Sequence, residues 1–154
     1  MLNQLVTFVL GEQQYALPLT SVQRVVRTVE VTPLPKAPAI VLGVIDFQGN
    51  IIPVMSMRKR FGLPEPETSL SDQFIVADTA TRRVALVVNS VTGVLERTSE
   101  AVTEAEKIVP GAQYVEGITR LEDGILFIHN LEHFLSGKEE QQLCGLLAKA
   151  AGRE

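Results

Sequence analysis

Apolar residues fall along this chain in short, β-rich runs separated by turn residues, which is the signature of strands. Leu5–Leu10 reads as a strand, Gly11-Glu12 turns it, and Tyr15–Leu19 returns. Val22, Val25, Val26 and Val29 make a third β-rich stretch. Thr32–Pro38 carries three prolines. Proline fixes φ and removes a donor, so an extended connection is predicted there and not a ladder strand. Val41–Phe47 and Ile51–Met55 predict a hairpin around Gly49-Asn50. Glycine first in a two-residue loop suits a type II′ turn. Ser56 is placed to cap a helical turn that Gly62 and Pro64 stop. Residues 62–72 have the Pro, Glu and Ser content of a surface linker, and a subdomain boundary is expected there. The strand pattern then restarts, with Phe74–Ala77, a turn at Thr81-Arg82-Arg83, and Val84–Val88.

The tail differs. Over Lys138–Ala151, Leu143, Leu146, Leu147 and Ala150 recur at helical spacing and build one apolar stripe. Ser136 and Glu139 have capping-box spacing, and Lys149 sits where the helix dipole favours a cation. The stripe is expected to pack on the chain's own body, since most helical stability comes from packing. The alternative is a free helix for a partner.

Two blocks recur. GVIDFQGNIIPVMSMRKRF at 43–61 lies without a gap over GITRLEDGILFIHNLEHFL at 117–135. Gly43 meets Gly117, Ile51 meets Ile125, Val54 meets Ile128, and Ser56 and Asn130 precede equivalent helical turns. Asp123-Gly124 is the second turn dipeptide. YALPLTSVQRVV at 15–26 likewise lies over VALVVNSVTGVL at 84–95. A doubled β unit suggests a binding scaffold with a seam, although any two β hairpins share some of this pattern.

At 154 residues the chain is one domain, or two small subdomains on a common core. The net charge is −4 with both signs mixed, which argues against nucleic acid, because phosphate binding needs a concentrated positive field. A lone cysteine, Cys144, excludes an internal disulfide and fits a reducing compartment. MLNQLVTFVL has no positive leader and is too short to span a bilayer, so a soluble cytoplasmic protein without membrane insertion is expected.

Candidate chemistry is sparse. No phosphate loop, dinucleotide fingerprint or nucleophile elbow is present in the sequence. His129 and His133 are four apart and would share a helical face, yet no third ligand lies nearby in sequence. They read as surface histidines beside a cap, so neither a metal nor a cofactor is expected. Cys144 reads as a half-buried, inert thiol. Arg58-Lys59-Arg60 reads either as a solvated helix face or, with Arg24 and Arg27, as a charged rim for an acidic partner.

At residues 43–61 the chain resembles the signature hairpin of the CheW family, the coupling proteins of bacterial chemosensory arrays. FVLGEQQYALPLTSVQRVV resembles that family's opening strands, and TPLPKAPAIVLG its proline-rich approach. The likeness runs from about Leu5 to Leu135. It implies an all-β fold of two SH3-like five-stranded barrels on a shared core, with short helices and a C-terminal α-helix. The CheW-like domain would cover residues 1–137. One subdomain would span about 14–66, and the other about 72–137 plus the N-terminal strand. A helix and tail would occupy 138–154.

The resemblance also implies a non-catalytic adaptor that links chemoreceptor cytoplasmic tips to the regulatory domain of a CheA-type histidine kinase. It assigns Val22, Arg24, Gly43 and Gln48 to the receptor-facing surface, with Val91 and Val94 on the matching strand of the second half. The kinase is inferred to meet the outer strands of each barrel. Gly43 carries two readings, a close backbone approach or an open groove for a receptor helix. Two positions depart from the family pattern. Gln48 replaces its usual arginine and Arg24 its usual glutamate, so the local charge pattern is reversed. A divergent receptor is expected from that, with a pathway that does not control swimming as the alternative. The rival readings are a metal-dependent small-barrel enzyme using His129 and His133, and a small-molecule or nucleic-acid binder.

Overall fold

The computed structural model describes residues 2–61, 72–104, 115–129, 131–133 and 137–151. Strands β1 (Leu2–Leu10) and β2 (Gln13–Pro18) form the opening hairpin. A 3-10 turn at Leu19–Ser21 leads to β3 (Val22–Arg27). β4 (Val41–Phe47), β5 (Asn50–Met55) and helix α1 (Met57–Phe61) follow. β6 (Gln73–Asp78) and β7 (Arg83–Val88) make the next hairpin, so Arg83 belongs to a strand and not to the turn. β8 (Ser90–Thr98) runs through a 3-10 turn at Ser99–Ala101 into β9 (Val102–Glu104). β10 (Val115–Leu121) and β11 (Gly124–His129) form the last hairpin. A 3-10 turn at Leu131–His133 and helix α2 (Gly137–Ala151) close the described chain.

The strands form two sheets, ordered β3-β6-β7-β5-β4 and β8-β1-β2-β11-β10-β9. The orders are equivalent position by position, and the repeats explain why. β5 pairs parallel with β7, and β11 pairs parallel with β2. Each sheet also closes on itself by the same device. After β3 the chain returns so that Thr32 bridges Val44 of β4, with N···O distances of 3.0 and 2.8 Å. After β8 the chain returns as β9, which pairs with β10. The sixth strand of the second sheet is therefore the longer counterpart of the Thr32 bridge, and the expected pair of five-stranded barrels holds with that addition. The proline segment is otherwise an extended connection and not a ladder strand, as expected, with Thr32 making an isolated bridge.

The expected boundary at residues 62–72 is not where the sheets divide. Barrel one takes β3 to β7, and barrel two takes β1, β2 and β8 to β11. The chain crosses between them at Leu19–Ser21 and at Asn89. Both crossings lie inside the repeated block 15–26 and 84–95, so that block marks the passage between barrels. β2 thus joins the second barrel, and β6 and β7 join the first. Most of the proline-rich linker, residues 62–71, lies outside the described residues, as do Asn130 and Ser136.

Burial follows a period of two, which explains the solid apolar runs. In β6, Phe74 and Val76 enter the interior of barrel one, while Ile75 and Ala77 enter the core between the barrels. In β7, Ala85 goes to the barrel and Val84, Leu86 and Val88 go to the shared core. β2 does the same for barrel two, with Ala16 inside and Tyr15 and Leu17 in the shared core. A strand covered on both faces needs apolar residues at every position, so it reads as a run and not as an alternation. Leu143 of α2 is fully buried in the shared core and Leu147 packs against it, so the tail helix lies on the body as expected.

The β4–β5 turn differs from expectation by one residue. Phe47 pairs with Asn50, so the loop residues are Gln48 and Gly49. Their φ values are +53° and +86°. Positive φ at both central residues marks a type I′ turn, which matches the twist of the strands better than types I and II do. Asp46 Oδ1 accepts the Gly49 N–H at 2.9 Å. A glutamine in the left-handed region carries a steric penalty that asparagine largely avoids. Gln48→Asn is therefore expected to raise stability by about 0.5–1 kcal/mol. A urea midpoint that does not move would count against the left-handed turn.

The β10–β11 turn is likewise one residue early, because Leu121 pairs with Gly124 and leaves Glu122-Asp123 in the loop. Neither of those residues has positive φ, so the two turns differ in type.

Candidate functional site

The basic run after the first hairpin turns inward. Ser56 Oγ accepts the Lys59 N–H at 3.2 Å, which caps α1 and fixes which way its side chains point. Arg58 Nη2 then donates to Asn89 Oδ1 at 2.6 Å, and the same oxygen accepts the Gly11 N–H at 2.6 Å. Asn89 N–H donates in turn to Val9 O at 3.0 Å. Asn89 is a residue at which the chain changes barrels, so α1 of barrel one is tied there to the β1–β2 turn of barrel two. Arg60 bonds Glu139 of α2 at 2.5 Å with only 12% of its side chain exposed. Lys59 donates to Ala39 O at 3.2 Å from an exposed position. Arg58 and Arg60 are thus structural clasps, and the expected charged rim at Arg58-Lys59-Arg60 reduces to Lys59.

Gly43 is buried, and its two readings separate here. A Cβ built on it would lie 2.2 Å from Thr32 O and 2.7 Å from Val31 Cγ1. The residue permits the close backbone approach that closes barrel one. Gly93 on β8 is, by contrast, uncovered: a Cβ there would meet nothing within 4 Å. No reading of the sequence singled it out, because an open glycine and a crowded one look alike in a strand.

The remaining receptor-facing candidates fall on two sheet edges. β3 and β8 hold the same place in their barrels and are the edge strands of their sheets. Val22, Val25 and Val91 pack in part against the shared core, so both edges rest on it. Val91 N–H donates to Gln73 Oε1 at 2.7 Å, and Gln73 is paired with Arg27, which brings the start of β8 to the end of β3. Arg24 is exposed on β3, and Val94 is 57% exposed on β8 beside Gly93. Gln23 Nε2 donates to Asp78 Oδ2 at 2.6 Å and Arg83 Nε to the other oxygen at 2.8 Å. The Arg83 bond, and then its charge and Gln23, hold that carboxyl below its usual range and pin β3 to β6. Gln48 is exposed at the tip of the β4–β5 hairpin, apart from these strands in the sheet order.

The histidine pair does not form. His129 ends β11 and is fully buried, while His133 lies in a 3-10 turn, so the two do not share a helical face. Burial pushes the His129 imidazole down to about 3, which keeps it neutral. This overturns its reading as a surface residue; the side chain of His133 lies outside the described residues. Cys144 is exposed, not half-buried, because it follows Leu143 by one residue and so points about 100° away from the core.

Two pairs of exposed large apolar residues complete the surface. Val29 follows β3 and Val94 lies on β8. Ile51 and Ile125 lie on the outer hairpins at equivalent places in the repeat.

Comparison with known proteins gives one consistent result. The family model described as the CheW-like domain matches residues 4–139. The chemotaxis protein CheW of Treponema pallidum is 30% identical over 149 residues, covering 93% of this chain and 88% of that one. CheW of Klebsiella aerogenes is 27% identical, covering 96% and 90%. The crystal structure of the scaffolding protein TtCheW from Thermoanaerobacter tengcongensis superposes with a TM-score of 0.82 at 27% identity, covering 90% of this chain and 96% of that one.

Proposed function

This chain belongs to the CheW-like domain family, and on that footing we propose that it is a scaffold of a chemotaxis-type signalling assembly. It would couple the cytoplasmic tip of a chemoreceptor to the regulatory domain of a CheA-type histidine kinase, acting in the cytoplasm and without catalysis. The observation that carries this reading is the family match over nearly the whole chain, joined to exposed apolar residues on and beside the end strands of the two sheets. Exposed apolar surface of this kind is where proteins dock on one another. Among the described residues no helix is long and apolar enough to cross a membrane.

On this reading the receptor helix lies along β3 and β8, touching Val22, Arg24, Val91 and Val94, with Gly93 offering bare backbone beside Val94. The kinase domain meets the outer strands of the barrels. Arg24 and Gln48, at family positions of other charge, select a divergent receptor, since complementary charge sets partner choice more than affinity.

Titration of the chain with the regulatory domain of a CheA-type kinase from its own organism, and with a receptor tip fragment, is expected to give saturable binding to both. Val94→Asp is expected to weaken the receptor by about tenfold or more while leaving the kinase unchanged. Absence of saturable binding to either protein would overturn the proposal. Binding of standard receptors as tight as that of a family member with the usual arginine and glutamate would overturn the divergent-receptor part alone.

A further inference from the structure

The repeat makes each barrel a control for the other, and one end of the two is filled differently. β4 shifts register against β5 between Val41 and Gly43, which leaves Leu42 as the extra residue. β10 shifts against β11 between Val115 and Gly117, so Glu116 holds the place of Leu42. A bulge of this kind re-aims the extra side chain. Leu42 packs on the interior cluster of barrel one, to which Phe74 belongs at 1% exposure. Phe74 pairs with Val26 and Val87, and Leu5 pairs with their counterparts Leu95 and Pro18, so Leu5 holds the place of Phe74. Barrel two thus has a carboxylate for a leucine and a leucine for a phenylalanine. Ile128, in place of Val54, restores a single carbon. A hollow of about 520 Å³ opens at this end of barrel two, lined in part by Leu5, Pro18, Val102, Glu116 and Ile128. Sites for small ligands run from about 300 to 1,000 Å³ and are apolar with a few polar groups.

Among the described residues Glu116 is the single charged group on that lining, and no cation pairs with it. Partial burial disfavours the charged form and holds its carboxyl above the usual carboxylate range. A cation beside it would favour the charged form and offset that cost. We propose that this hollow binds a small organic cation, an ammonium on a short apolar chain, with the ammonium at Glu116 and the chain against Leu5 and Ile128. The lining selects this class. An anionic head is repelled by Glu116, and a neutral one leaves the carboxylate short of water without a partner. None of Val22, Arg24, Val91 and Val94 lines the hollow, so the site is independent of the receptor reading.

Nuclear magnetic resonance titration of the full chain at neutral pH tests this, with hexylamine as the probe and hexanol and hexanoate as its neutral and anionic counterparts. Hexylamine is expected to give saturable shifts centred on Leu5, Val102 and Ile128. Hexanol is expected to bind about tenfold more weakly, and hexanoate more weakly still. Glu116→Gln keeps the shape of the exposed side chain and removes its charge. It is expected to weaken hexylamine by about tenfold while leaving hexanol unchanged. Leu5→Phe restores the residue of barrel one, fills the hollow, and is expected to abolish binding of all three, with a dispersed spectrum showing that the variant is folded. Shifts that do not saturate with hexylamine would overturn the proposal. So would equal affinity for the three probes, or hexylamine binding that Glu116→Gln leaves intact. The Glu116→Gln comparison decides the matter even where Leu5→Phe does not fold. No kinase or receptor enters the experiment, so its failure leaves the adaptor reading standing, and failure of that reading leaves this site standing.

Discussion

Gly43→Ala is expected to destabilise the fold by about 3–5 kcal/mol, among the largest effects of any single methyl addition in this chain. Three contributions add. The new Cβ would lie 2.2 Å from Thr32 O, a backbone atom that cannot swing aside as a side chain would. The φ of +153° disfavours any L side chain. Moving Thr32 away also gives up the two hydrogen bonds to Val44 that close barrel one. Two related glycines make the control. Gly93→Ala keeps a similar φ of +149° but meets open space, so only backbone strain of about 1–2 kcal/mol applies. At Gly117, the repeat's counterpart of Gly43, the nearest atom is Val102 Cγ1 at 2.6 Å, and a side chain can give. Urea denaturation of the three variants should rank Gly43→Ala as the most damaging. A loss within about 1 kcal/mol at Gly43 would show that Thr32 does not brace the barrel.

The second large effect is acid sensitivity from His129. In the folded chain its imidazole stays neutral down to about pH 3, because burial excludes the charged form. In the unfolded chain it titrates near its ordinary value of 6.5. Below that value the unfolded state takes up a proton that the folded state refuses, so acid favours unfolding. This group contributes nothing to the pH dependence above pH 6.5. Below it, each pH unit removes about 1.4 kcal/mol, or roughly 2 kcal/mol by pH 5. His129→Leu keeps the site apolar and removes the proton acceptor. Denaturation curves from pH 7.5 to 5 should therefore fall more steeply for the parent than for the variant. Equal slopes above pH 5, where few carboxylates titrate, would mean that His129 charges in the folded state.

Both effects arise where residue type alone misleads. A histidine near a capping residue reads as surface, because polar residues are mostly exposed. Here β11 ends inside the core and takes His129 with it. The Arg58-Lys59-Arg60 run reads as a solvated face for the same reason. The position of Asn89, distant in sequence, turns Arg58 inward, and α2 does the same for Arg60 through Glu139. The 62–72 linker looks like a boundary because composition reports exposure and not sheet membership. What the sequence did disclose was periodic. The strand positions, the tail stripe and the two repeated blocks follow from side-chain alternation and helical spacing, which burial enforces residue by residue. The repeats also led to Ile51 and Ile125 as equivalents, while Leu5 as the counterpart of Phe74 became visible only with the strand register.

The two crossings between barrels have a consequence for how the chain is made. Barrel one draws its strands from one continuous stretch, β3 to β7, and can close once Val88 has been synthesised. Barrel two draws β1 and β2 from the first eighteen residues and the rest from Ser90 onward. Until β8 and β11 emerge, β1 and β2 have only each other as sheet partners, and an isolated hairpin is marginal in water. The shared core offers them a place to wait, because Phe8, Leu10, Tyr15 and Leu17 pack against side chains of β6 and β7. β1 and β2 are thus held by the strands that follow them and completed only when β8 and β11 arrive.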